Sequence, residues 1–498
     1  MAAEAKLRRD HVRANVSFPQ LLLGPELRPP PARICAMLVT RTETLPTHYR
    51  GSFSSGSPRA KTLGLGRELG DSHAEGFGPR ASQVAPEERM APLPSLCLVM
   101  YSGFLSTLAL DIVVATVDEY SRKLGAGALF SGLVIALTPV LQGLIGVPLN
   151  RWMIQSTSMK TVSILMAAGM VVGHIIYALA GLMHSKLAVL FARALIGICQ
   201  FQLFAPIYIA DAVGVKRRTP VLFVYSAVAT SALAVAPAIC GLLETFLHEL
   251  RVHNLVLDSD TAPGWFMAIV YFLYLLKVVF FFEDPEKVRS PETSHATASP
   301  VEERESLWTT GILLCLLAGF ASTMTNIGCM VYFTQLSQHT WQWSVAMSSW
   351  ALAGLMAVVC LLSLGSSRLV KLVEDRKGLQ LSTLSSAIIS TLAFHFSSSW
   401  SAATITLTFV GLLLLQATSC VVKNYAYALT PKIVAPHLKD RAASWLLLAL
   451  TLGRGVGAQV GVIFTPVSFA FTMLSTYLLL FALVSVFRSR MKQHAKAV

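Results

Sequence analysis

Asp111, Arg193 and Arg454 each lie well inside a run of apolar residues long enough to cross a lipid bilayer. A charge at that depth costs a few kcal/mol or more unless it faces protein or water, so it marks a path for a polar solute or a proton by default. The stretch 186–218, KLAVLFARALIGICQFQLFAPIYIADAVGVKRR, concentrates this chemistry. Read as one helix, it puts Arg193 and Asp211, 18 residues apart, on one face and about 27 Å apart along the axis. Gly197 and Gln200 share that face. Asp111 in the first apolar run sits at the same depth as Arg193 in the fourth, with Thr107 and Asp118 on its own helix face. The pair either meets at one hydrated site or forms an ion pair that only holds its half of the chain together. A carboxylate in such a site is also a candidate proton carrier.

Arg454 lies mid-run in LGRGVGAQVG, with Gly457, Ala458 and Gly461 along its face. Small residues there either admit a close helix or open room for a solute. Asp111, Arg193, Gln200 and Arg454 are therefore the candidates for the substrate or proton pathway. Lys277 and Lys423 lie near one end of their runs, where the stem can carry the ammonium to the headgroups. His174 and His395 occur singly and read as packing residues. Gln142, Gln202, Asn326, Gln416, Asn424 and Gln459 either line a cavity or bind helix to helix.

The composition requires a membrane for most of the chain. Of 498 residues, 54% are hydrophobic and 13% charged, against about a quarter charged in soluble domains. The net charge of +13 comes mainly from short loops and the N-terminal stretch, with no nucleic-acid module, so no nucleic-acid partner is expected. Seven of the eight cysteines fall in apolar segments without CxxC or zinc spacing, so neither a metal site nor a cofactor is expected. No nucleophile, base and orienting group recur at useful spacing, and no phosphate-binding loop appears. These absences argue against an enzyme and an ATP-driven pump.

Spans are expected at 95–117, 128–148, 160–182, 187–211, 220–243 and 264–283, then at 307–331, 344–364, 379–398, 402–424, 443–464 and 467–487. A polar stretch, EDPEKVRSPETSHATASPVEERES, divides these twelve into six plus six. Residues 1–92 are rich in Arg, Pro, Gly and Ser and read as a disordered tail, neither signal nor transit peptide. Arg151 and Lys160, Lys216 to Arg218, the 284–305 linker, Arg368 to Lys377, Lys432 to Arg441 and the C-terminal basic cluster share one side. The other has only Arg122, Lys123, Lys186 and Arg251, together with the acids of loop 244–262. The positive-inside rule then puts both termini in the cytoplasm.

Gly146-Val147-Pro148-Leu149-Asn150-Arg151, Arg193-Ala194-Leu195-Ile196-Gly197 and Ala236-Pro237 with Gly241 resemble motifs of the major facilitator superfamily, with Asn150 where an aspartate is usual. Within it, VVATVDEYSRKLGAG at 113–127, YIAD at 208–211, and TAPGW with FFFEDP at 261–285 resemble the SPX-linked vacuolar phosphate transporters and their lysosomal relatives. The tail is not an SPX domain, and the fourth helix lacks the extra basic residues of phosphate carriers.

The resemblance implies an all-α polytopic membrane protein with twelve transmembrane helices in two six-helix bundles. These are 93–283 and 306–488, with a cytoplasmic linker at 284–305 and tails at 1–92 and 489–498. It implies a site between the bundles and a cytoplasmic gate, for which Asn150, Arg151, Asp211 and Arg217 are the candidates. The function expected is secondary transport of a small polar, anionic solute by alternating access, with proton coupling, by a monomer in a vacuolar or lysosomal bilayer. The alternative is a non-transporting membrane receptor or scaffold that keeps the fold.

Overall fold

The computed structural model describes residues 90–201, 204–247, 258, 260–285, 308–369, 373–393, 400–435 and 438–488. The expected N-terminal tail lies outside the described residues except at its end, as do nearly all of the linker, the C-terminal tail, Gln202, His395 and most of loop 244–262. A bilayer core offers no water to a backbone N–H or C=O, so a crossing segment satisfies them within itself. The described residues accordingly form helices and no strand. In chain order these are α1 (Leu93–Asp111), α2 (Val117–Lys123), α3 (Ala128–Leu141), α4 (Val147–Ser156), α5 (Met159–Leu179), α6 (Lys186–Ile198), α7 (Phe204–Ala212) and α8 (Val215–Leu247). They continue as α9 (Ala262–Phe281), α10 (Thr310–Gln335), α11 (Val345–Leu369), α12 (Asp375–Ser390), α13 (Ala402–Ile433), α14 (Lys439–Ile463) and α15 (Pro466–Phe487). Ten helices among the described residues are long and apolar enough to cross a membrane.

The fourth expected span is not one helix. It divides into α6 and α7, and Cys199 to Phe201 leave the helical path. Pro206 gives the reason: in a continuous helix its ring would clash with the carbonyl four residues earlier, and it has no N–H to donate. The five-turn face linking Arg193 to Asp211 therefore does not exist. Asn150 closes the break, because α3 runs through a π-helical turn at Gln142–Gly146 into α4 and carries Asn150 inward rather than into a loop. Its amide nitrogen donates to the Gln200 carbonyl at 2.9 Å. The ninth expected span, 379–398, is likewise shorter, α12 ending at Ser390 in a 3-10 turn. It is rich in Ser and Thr, and Ser382, Ser386 and Ser390 bond to backbone carbonyls of their own helix, a habit that weakens and bends helices.

Helices from the first and second halves of the sequence meet along two seams, α3 with α14 and α8 with α11. On α14, Gly453, Gly457 and Gly461 repeat every four residues and lie on the backbone of α10. A Cβ added to them would stand 2.3 Å from the Phe320 carbonyl oxygen, 2.2 Å from that of Met324 and 2.8 Å from that of Gly328. Gly455 lies against Val140 of α3 instead. At about 100° per residue, these two contacts fix the rotation of α14 and leave Arg454 between them. The glycines thus serve close helix approach, one of the two roles their spacing allows.

Replacing Gly457 by Leu forces the α10–α14 pair apart. Overpacking of this kind costs about 1–3 kcal/mol, so the variant is expected to melt several degrees below wild type in detergent, while Val456→Leu, at an exposed position, does not.

Candidate functional site

Arg193 is fully buried, with 0% exposure. Its Nε donates to the Val134 carbonyl at 3.2 Å, Nη1 to Ala109 at 3.2 Å and Nη2 to Leu110 at 3.4 Å. The carbonyls of Ala109 and Leu110 belong to the last turn of α1, where helix carbonyls lack intrahelical partners and the dipole is negative. Arg193 is thus a cap supplied by a neighbouring helix. The Thr138 hydroxyl returns a bond to the Arg193 carbonyl at 3.1 Å, and Gly197 lets α6 approach so closely that a Cβ there would lie 2.4 Å from the Thr138 oxygen.

Asp111 is 4% exposed and has no ion pair within 4.0 Å among the described residues; the depth match with Arg193 is real, but the guanidinium is committed elsewhere. The cations whose field reaches Asp111 are first Arg454, then Arg193 and Lys423. Arg454 on α14 and Lys423 on α13 are both partly exposed. Tyr427, one turn beyond Lys423, is 48% exposed, lies in the field of Arg454 and neighbours Tyr225 of α8. The Tyr225 ring covers Gly103 of α1, where an added Cβ would fall 2.3 Å from a ring carbon. Gly103, Thr107 and Asp111 follow one another at i, i+4 and i+8 on one face. Asp111 of α1, Tyr225 of α8, Lys423 and Tyr427 of α13 and Arg454 of α14 thus feel one another's fields across the two halves of the chain.

Of the pathway candidates, Asp111 lies in the field of Arg454, Arg193 is bonded to backbone carbonyls and Gln200 lies in the α6/α7 break, 1% exposed. Lys423, Tyr427 and Tyr225 share in the same interactions. Lys423 has the i, i+4 spacing to Tyr427 that puts both on one face, a signal outweighed in the sequence by the nearness of Lys423 to the end of its run.

The four gate candidates lie on α4, α7 and α8. Asn150 is 2% exposed inside the break, and Arg151 reaches Ser444 of α14 at 3.5 Å. Asp211 is half-buried on α7 and Arg217 exposed on α8; Arg218 bonds to the Ala210 carbonyl. A cluster of charged contacts between the two halves lies at the opposite end. There Asp118 of α2 pairs with Arg122 at 3.2 Å and with His339, from the π-helical turn after α10, at 2.8 Å. Ser131 donates to Asp118 at 3.1 Å, and Gln338 to the Ala115 carbonyl at 2.9 Å. Beside them Lys123 bridges Glu119, Asp258 and Asp260.

Residues 99–458 match the sequence profile of the Major Facilitator Superfamily. The chain belongs to that family. Among curated proteins, an SPX domain-containing membrane protein of Arabidopsis thaliana is 30% identical over 226 residues, 45% of this chain and 31% of that protein. One from Oryza sativa subsp. indica is 28% identical over 194 residues, 39% of this chain and 27% of the relative. The chain thus spans about a third of the length of these relatives. Among solved structures, a bacterial homologue of the human lysosomal transporter Spinster, inward-facing and occupied, superposes with a TM-score of 0.63 at 15% identity, over 81% of this chain and 98% of that one. The xylose transporter XylE from E. coli, inward open, gives 0.61 at 12% identity, over 81% and 96%. The two superpositions establish a shared fold.

Two outcomes follow. Arg193→Ala strands the two buried carbonyls at the end of α1 and removes a third bond to Val134, so it is expected to lower stability by about 3 kcal/mol or more, read as a lower melting temperature in detergent, whereas Arg454→Ala melts within a few degrees of wild type. Outside the membrane, burial pushes the Asp260 carboxyl up to about 7, with Lys123 pulling the other way. A folded-state value above the unfolded one contributes stability that is fully present below the unfolded pKa, about 3.9, and is lost as pH rises through 7. Asp260→Asn should therefore match wild type in melting temperature at pH 4 and exceed it increasingly up to pH 8.

Proposed function

We propose that this member of the Major Facilitator Superfamily is a secondary transporter of a small, polar, anionic solute, working by alternating access with proton coupling through Asp111. The observation that carries this reading is the meeting of Asp111 from one half of the chain with Arg454 and Lys423 from the other, without an ion pair to settle their charges. Two cations and one carboxylate leave one positive charge for a solute. Protonation of Asp111 removes its competition for both cations, so a proton and an anion favour each other's binding. Tyr225 and Tyr427 add hydroxyl donors, which suit the oxygen atoms of a carboxylate or oxyanion.

In this reading twelve spans form two six-helix bundles that rock about the site, as in transporters built from repeats. The α3–α14 and α8–α11 seams are where the bundles meet. The Asp118–His339 contacts hold one end shut in the conformation described, and Arg151, Asp211 and Arg217 are candidates for contacts that form at the other end when the bundles rock. Both termini are assigned to the cytoplasm from the loop charges. A vacuolar or lysosomal membrane is favoured by likeness to the SPX domain-containing membrane proteins and to a homologue of a lysosomal transporter. A scaffold or receptor gives no reason for opposite charges to converge from both halves, so the transporter reading is preferred.

The test is uptake into proteoliposomes from a panel of anionic and neutral solutes under an imposed proton gradient. Wild type should prefer an anion. Arg454→Ala and Lys423→Ala should each lower its uptake at least tenfold, and Asp111→Asn should retain uptake but lose stimulation by the gradient. Normal anion uptake by the Arg454→Ala/Lys423→Ala double variant would refute the site, and full gradient dependence in Asp111→Asn would refute the coupling.

A further inference from the structure

Away from the central site, a groove of about 400 Å³ opens between the start of α1 and the end of α9. Pro94, Cys97, Leu98 and Tyr101 line one wall at helical spacing, and Lys277 and Phe281, one turn apart, line the other. The surrounding surface is that of a lipid-facing helix end, since Leu93, Phe280 and Phe281 are all exposed. Lys277 is exposed as well. Its Nζ stands 5.7 Å from the centre of the Tyr101 ring, and it has no carboxylate within 4.0 Å among the described residues. Of the acids that follow α9, Asp284 accepts the Lys160 backbone N–H at 2.9 Å.

We propose that this groove binds an anionic phospholipid, with the phosphate at Lys277 and part of an acyl chain between α1 and α9. Lys277 lies four residues before the end of α9, about 6 Å along the axis, so its side chain reaches the boundary between acyl chains and headgroups. The groove opens sideways into that boundary, where the available anion is a lipid headgroup. The Tyr101 face holds the ammonium by a cation–π contact while leaving its other side to a phosphate. Leu98 and Phe281 give the chain an apolar bed, and a volume of this size is within the range of ligand-holding clefts. The site is independent of the transport reading, because none of its residues belongs to the Asp111, Lys423 and Arg454 cluster.

Native mass spectrometry of the full chain in detergent, titrated with phosphatidylglycerol and with phosphatidylcholine of the same acyl chains, tests the assignment. One lysine near a headgroup changes affinity about fivefold, so wild type should retain phosphatidylglycerol about fivefold better. Lys277→Gln should abolish the preference, Lys277→Arg should keep it, and Cys97→Trp, which fills the groove, should lower retention of both lipids. An unchanged preference in Lys277→Gln would overturn the proposal by putting the lipid elsewhere. Equal retention of the two lipids by wild type would overturn it by removing the headgroup contact, and retention of neither would assign the groove to the chain's own N-terminal residues.

Discussion

Three carbonyls and one guanidinium set the frame on which the rest of this protein depends. In hydrocarbon a helix cannot end without stranding its last carbonyls, yet α1 ends at Asp111, inside the span expected for it. Arg193 makes that end possible by bonding to Ala109 and Leu110, and it ties α3 into the same knot through Val134. The positive charge faces the negative pole of a helix, which takes the place of a carboxylate partner. Because the guanidinium is used in this way, Asp111 one residue later is left available to other charges. Asn150 solves the same problem at the other interruption, donating to the Gln200 carbonyl where α6 gives way to α7. The isosteric carboxylate of an aspartate in that position would accept rather than donate, which accounts for an amide where the resembled motif has an aspartate.

The second constraint is the rotation of α14. Gly453, Gly457 and Gly461 press one face onto the α10 backbone while Gly455 meets α3. Glycine stands at close points of both contact faces, and Arg454 projects from the sector between them. Packing and electrostatics are therefore coupled through sequence spacing: the glycine repeat that brings the helices together also sets the sector from which the cation projects. A substitution in the repeat would disturb the charge it does not touch.

Much of this was legible in the sequence, and the reasons for the rest are physical. Apolar runs of bilayer length predicted most of the helices, because length is fixed by membrane thickness. Motifs at 146–151 and 193–197 pointed to the family, and the depth of Asp111 and Arg454 made them candidates for a site. Helical periodicity gives the face of a residue but not the neighbour across from it. Arg193 was therefore read as facing a solute, although its partners are carbonyls separated from it by many residues in sequence. Lys423 was assigned to the membrane surface because depth is counted from the end of a run, and α13 extends to Ile433, well past the 424 at which the apolar run appears to stop. The break at Cys199 to Phe201 was signalled by Pro206, but apolar continuity through the region concealed it.

The two ends of the molecule differ in the kind of contact they make. At the Arg151 end, α4 meets α14 through a long bond from an exposed arginine to a serine, which exchanges easily with water. At the Asp118 end a buried carboxylate meets Arg122, Ser131 and His339, the last from the other half of the chain. Removing the histidine contact would leave Asp118 buried but still paired with Arg122 and Ser131, which limits the electrostatic cost of breaking it. The imidazole meets Asp118 at Nε2, 2.8 Å away, and stands within reach of Arg122 as well, 2.9 Å at Nε2 and 3.1 Å at Nδ1. Because each ring nitrogen can donate or accept, one ring from the second half of the chain serves a carboxylate and a guanidinium of the first, which makes the contact specific in geometry.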